Sequence, residues 1–338
     1  MRAWTSLLFK GLCIALVAPL GGCALIAGLE ERSAPPAREL RTLAEGHEQP
    51  RGIAIDPEHG DGHVYWADKP VNVPENNGIW RVPVEGGEAE HIVLLDESRE
   101  VKALLVDEPS IYWFDVHETC GGGDSDRLLK APTTGADASE LSALWISCED
   151  PLETTQNGTA VYWTVSNNSK ILEFDKGTQV ARELSLHQQG VGGITADTTH
   201  VYWATMAQVV RYDLKVNQRE DWAMAGEPRG VVNDETSVFW FTHGGDVVRR
   251  SKLEPSDTET LTTGLADPGG IAVSGDWVYV TEAGRQRVVR MPKRGETPSK
   301  QLDVLATNQG YPSRIVADGQ YVYWTNYEAG TVMRWTIP

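Results

Sequence analysis

Four cations recur at matching places along the chain. Arg51, Lys102 and Arg229 each stand five residues before an aspartate (Asp56, Asp107, Asp234), and Arg314 stands four before Asp318. If the surrounding segments are copies arranged about an axis, these side chains ring one opening, and a basic ring on an acidic chain attracts a small anion such as a carboxylate or phosphate. The competing reading is that they satisfy backbone carbonyls and nearby acids, Glu153 and Glu282 among them. Further carboxylates fall in loops at Asp68, Asp115, Asp124, Asp126, Glu149, Asp150 and Asp246. Clustered oxygen ligands can hold Ca²⁺ or Mg²⁺, but no spacing here matches a calcium loop, so a solvated acidic rim is expected. No cofactor is predicted; a divalent cation is the one that these side chains would admit. The eight histidines are scattered along the chain, which leaves a zinc site unsupported. No Gly-x-Ser-x-Gly, phosphate loop or Cys/His pairing supplies an alternative catalytic set.

The cysteines carry different chemistry. Arg2 and Lys10 supply a basic region ahead of an apolar stretch, Gly11–Leu20, and together these have the form of an export signal. It ends in Leu20-Gly21-Gly22-Cys23, which resembles the bacterial lipobox, and the resemblance implies lipidation of Cys23. Ala24, with no Asp in its place, then implies the outer membrane of a bacterial cell envelope, with the protein facing the periplasm or the surface. Three acyl chains on one residue exceed the two-anchor threshold for stable attachment. Cys13 leaves with the signal, so Cys120 and Cys148 remain, an even pair that suggests a disulfide in an exported protein. Residues 1–22 are thus read as a lipoprotein signal peptide and residues 23–37, with Ser33-Ala34-Pro35-Pro36, as a flexible tether.

Residues 38–338 are organised by repetition. One aromatic phrase occurs as Tyr65-Trp66, Tyr112-Trp113, Tyr162-Trp163, Tyr202-Trp203, Phe239-Trp240, Tyr279-Val280 and Tyr323-Trp324, at spacings of 47, 50, 40, 37, 40 and 44 residues. That period belongs to four-stranded propeller blades. Before each phrase comes a strand of small and apolar residues, such as Gly52-Ile53-Ala54-Ile55; after it comes an alternating strand such as Val209-Val210-Arg211-Tyr212. Twelve Trp and ten Tyr, with 33 Gly and 18 Pro, fit many short strands joined by tight turns. The expected fold is therefore all-β, a seven-bladed β-propeller. The seventh repeat has three strands, while Leu40-Arg41-Thr42-Leu43-Ala44 reads like a fourth strand placed ahead of the first repeat. Segment 38–44 is expected to pair with the last strand and close the ring, which removes open sheet edges.

The phrases Tyr65-Trp66-Ala67-Asp68 and Tyr323-Trp324-Thr325-Asn326 resemble the YWTD repeat, and the Pro-x-Gly-Ile-Ala strands resemble NHL repeats. YWTD propellers have six blades, however, and the motif's Asp survives here only at Asp68 and Asp115. The ladder of Asp contacts that the resemblance implies is therefore uncertain for the other blades. There is also some similarity to streptogramin lyase, a seven-bladed propeller that performs a metal-assisted elimination with a His in one blade and a Glu-x-His in the next. His243 and Glu282 stand in the matching neighbourhoods, but Gly284 replaces the second histidine. That resemblance implies a metal-dependent lyase or lactonase with an incomplete acid–base pair.

A formal net charge of −18 excludes nucleic acid as an expected partner, because phosphate recognition needs a basic surface. The leading expectation is an envelope-anchored scaffold, more a binder than an enzyme, that engages a protein, peptide or glycan and meets the membrane through its lipid.

Overall fold

The computed structural model describes residues 39–55, 62–69, 76–117, 125–136, 142–166, 169–253, 257–294 and 302–338. Seven four-stranded antiparallel sheets follow one another around an axis. Blade one contains β2 (Ile53–Ala54), β3 (His63–Asp68), β4 (Gly78–Pro83) and β5 (Glu90–Leu94), and the following blades repeat this order from axis to rim. Neighbouring first strands touch in sequence, and the first strand of blade seven touches that of blade one. Among the described residues no helix is long and apolar enough to cross a membrane.

Closure occurs as the sequence predicts. β1 (Leu40–Ala44) lies beside β28 (Thr331–Thr336), pairing Leu40 with Trp335, Arg41 with Arg334 and Ala44 with Val332. Two further bonds fix its ends, from Thr336 N–H to the Glu39 carbonyl (3.0 Å) and from His47 N–H to that of Gly330 (3.1 Å). Leu43 then packs with Ile53, Val64, Trp66, Tyr323 and Val332, so that one cluster welds blade seven to blade one.

The wedge between blades explains the aromatic phrase. Tyr and Trp are adjacent in a strand, and adjacent side chains point to opposite faces, so one phrase fills the wedges on both sides of its blade. Trp66, Trp113, Trp163, Trp203, Trp240 and Trp324 are all wholly buried, and Val280 occupies the same place in blade six.

The residue two places after the aromatic phrase's Trp forms a second device, repeated in most blades, with the apolar Val165 in its place in blade three. Asp68 bonds His47 (2.5 Å). Asp115 pairs with Arg99 (2.7 Å) and with Arg127, Thr205 Oγ1 donates to the Gln208 carbonyl (3.0 Å), and Asn326 donates to Gln309 and Thr331 (both 2.9 Å). The chemistry differs from blade to blade, but in most of them the contact ties strand two to the start of strand three.

Candidate functional site at the channel mouth

Loops between strands two and three share one face with the crossings between blades, and at its centre the axial channel opens into a cavity of about 980 Å³. Most of the described first strands carry an irregularity, those of blades one and four being the exceptions. Register slips between Pro151 and Thr154, between Pro228 and Val231, between Pro312 and Ile315, and between Lys102 and Leu104. Such bulges turn side chains out of the pleat, here toward the axis.

Arg51, Lys102 and Arg314 line the cavity as expected from their register. None is a bare cation. Arg51 pairs with Glu100 of the next blade, bonds Gln49 (3.1 Å), and lies 5.6 Å from the ring centre of Tyr327. Lys102 donates to Asp150 of the next blade (2.7 Å). Burial pushes the Asp150 carboxyl up, but hydrogen bonds from Lys102 and Ser166 outweigh it and hold the group below its ordinary value. Arg314 of blade seven reaches Glu153 of blade three at 2.5 Å. Blades three and seven are not neighbours, so this pair spans the channel. Glu153 was anticipated as a partner of the arginines; the span was not.

Arg229 departs from the expectation. Its side chain is exposed, does not line the cavity and has no side-chain partner among the described residues. The reason lies in blade six, where Asp267 holds the place of Glu100 and Asp150 but accepts a bond from Tyr311 of blade seven (3.3 Å). Tyr311 and Tyr327 meet edge to face at 6.1 Å, an aromatic pair on the rim that charge patterning did not reveal.

Three of the acids expected on a solvated rim are buried instead: Asp68, which ends a strand, Asp126, which begins one, and Asp115, which lies within one. Burial keeps the Asp68 carboxyl above its usual value despite the bond from His47, and raises that of Asp126 as well. Glu149 is held by Lys170 (2.6 Å). Asp124 and Cys120 lie outside the described residues, as do residues 1–38 with Cys23 and the expected signal and tether.

Glu282 and His243 are not assembled as a ligand set. Glu282 is wholly buried, pairs with Arg285 and Arg287, and accepts the Ala266 N–H (2.8 Å). Burial alone would raise its pKa, but these partners hold it below the ordinary value. It is the blade-six version of the clamp formed two residues after the Trp position in most blades. His243 is exposed, and neither residue lines the cavity. Among the described residues no group of three or more His, Cys, Asp or Glu is placed to hold a metal ion.

No protein-family model and no curated protein matches the chain. Solved structures do resemble it. Virginiamycin B lyase from Staphylococcus aureus superposes with a TM-score of 0.68 at 14% identity over 89% of this chain and 99% of that one. BamB from Moraxella catarrhalis gives 0.55 at 14% identity, covering 85% and 82%. A chain of a nidogen/laminin complex gives 0.50 at 18% identity, covering 68% and 86%. At these identities the likeness defines the class, a β-propeller, and leaves activity to be argued from the site.

Proposed function

We propose that this protein is an envelope-anchored binding scaffold that engages a protein, peptide or glycan through the channel-mouth face. The observation that carries this reading is the mouth itself, where charged groups and two tyrosines stand above an open chamber without a catalytic constellation among the described residues. Rigid polar rims with aromatic anchors suit recognition. Similarity to BamB and to a chain of a nidogen/laminin complex is consistent with it. The anchor is Cys23, which places the protein at the outer membrane of a bacterial envelope. A Cys120–Cys148 disulfide belongs to the same reading, on the even pair of cysteines left once the signal is removed. Pull-down from envelope extract tests the reading. Combined replacement of Arg51, Arg229 and Tyr311 by alanine abolishes capture of specific partners while the melting temperature holds; undiminished capture refutes the mouth as the binding face.

The likeness to virginiamycin B lyase favours one alternative, a lyase or lactonase that uses a divalent ion. It requires stoichiometric metal in the purified protein, or a rise in melting temperature on adding Mg²⁺, Ca²⁺ or Mn²⁺. If neither is found, the alternative fails.

A further inference from the structure

The residue that precedes the partner of the second-strand aromatic (Val280 in blade six) lines the axial cavity in each first strand. In blade order these residues are Gly52, Ala103, Glu153, Gly193, Gly230, Gly270 and Arg314. Five are glycine or alanine, for a steric reason that is plain at Gly193. A Cβ there would lie 2.5 Å from the Arg229 carbonyl oxygen of the adjacent blade. Blades three and seven alone place long side chains at this position. The two have opposite charge and meet across the channel at 2.5 Å, with their side chains 44% and 32% exposed for Arg314 and Glu153. A partly exposed ion pair is weak because water and salt compete for both partners. It closes the chamber without locking it.

We propose that the space beneath this pair is a binding site for a small apolar zwitterion, an α-amino acid or short peptide, that inserts between Arg314 and Glu153. Its carboxylate takes the guanidinium and its ammonium takes the Glu153 carboxylate. A simple anion on Arg314 would leave Glu153 unpaired, and a simple amine on Glu153 would leave Arg314 unpaired. Only a ligand with both charges replaces what it displaces. The wall below suits an apolar body, since Ile53, Leu104, Ile194, Val231, Ile271 and Ile315 line the cavity one position further along six of the seven strands, with Thr154 at that place in blade three. The other cavity-lining cations, Arg51 and Lys102, are each held by an acid of the adjacent blade, so they do not compete for the ligand's carboxylate.

The inference rests on the mouth being the ligand face, and one set of preparations separates the two ideas. Isothermal titration of the purified protein with L-leucine and Leu-Leu is compared with 4-methylpentanoate and 3-methylbutylamine, which carry one charge each. The zwitterions are expected to bind at least tenfold more tightly than either. Arg314→Ala and Glu153→Ala should each weaken them at least tenfold. The exchanged double variant Arg314→Glu/Glu153→Arg, which keeps the pair, should stay within a few fold. Equal binding of the single-charge probes, no binding of any probe by folded protein, or unaltered affinity in the alanine variants overturns the proposal. Envelope partners captured by protein that binds no zwitterion would sink this inference alone. Zwitterion binding without any captured partner would sink the scaffold reading alone.

Discussion

Lys252, which follows the third strand of blade five, donates to Asp197 at the end of the first strand of blade four (2.7 Å) and lies 5.7 Å from the ring centre of Tyr202. Two other lysines repeat the arrangement. Lys176 joins Asp107 and Tyr112, and Lys293 joins Asp234 and Phe239. Each staples one blade to the one before it, on the face away from the mouth. Burial raises the Asp197 carboxyl, but bonds from Lys252, Thr199 and His200 prevail and bring it down to about 2. A carboxylate depressed on folding adds stability above its unfolded value near pH 4, and that stability is lost as the pH falls toward 2. We predict that Asp197→Asn costs about 2 kcal/mol at pH 6 and much less at pH 2.5. Urea unfolding at the two pH values checks this; a penalty independent of pH would refute it.

The latch makes a prediction about cooperativity. Leu43 is buried where blades seven and one join, so Leu43→Ala should cost about 2–4 kcal/mol. Because the strand closes the ring, protection of the β28 amides against hydrogen exchange should fall together with global stability. If β28 amides keep full protection in this variant, the strand does not hold the ring closed.

Glu282 distinguishes a structural clamp from a metal ligand. Glu282→Gln leaves the Arg285 and Arg287 guanidiniums facing a neutral amide, and we expect a loss of about 2–4 kcal/mol, mostly through the less exposed Arg287. The change should leave any melting shift caused by Mg²⁺ or Mn²⁺ where it stands in the parent. Loss of a metal-induced shift that the parent shows would return Glu282 to a catalytic role.

The proposed membrane attachment turns on Cys23. Cys23→Ser should move the protein from the detergent-phase membrane fraction to the soluble fraction and abolish incorporation of a labelled fatty acid, with the propeller's melting temperature unchanged. Retention in the membrane would show that something other than a lipid at Cys23 holds it there.

The architecture was legible in the sequence because the wedge between blades permits so few residues. A wholly buried Trp or Val in every second strand enforces a period, and the missing seventh outer strand pointed directly to Leu40–Ala44. The site was less legible. Register placed Arg51, Lys102 and Arg314 on the channel, but it could not foresee that Asp267 would turn to Tyr311 and leave Arg229 outside. Nor could it separate solvated acids from clamped ones. Asp68 reads like any loop carboxylate until His47, brought over by the ring closure, is seen beside it. The glycine-rich axis held a clue in plain view, in that Glu153 and Arg314 break a run of small residues; its meaning depended on blades three and seven facing each other.

The direction of β1 fixes the face at which the chain enters the propeller. Leu40 pairs with Trp335 near the end of the last strand and Ala44 with Val332 near its beginning, so the chain enters at the stapled face and runs toward the mouth. Glu39 therefore stands on the side remote from the Arg314–Glu153 pair and from Tyr311 and Tyr327, so the strand that closes the ring is threaded from behind and leaves the opening of the channel clear.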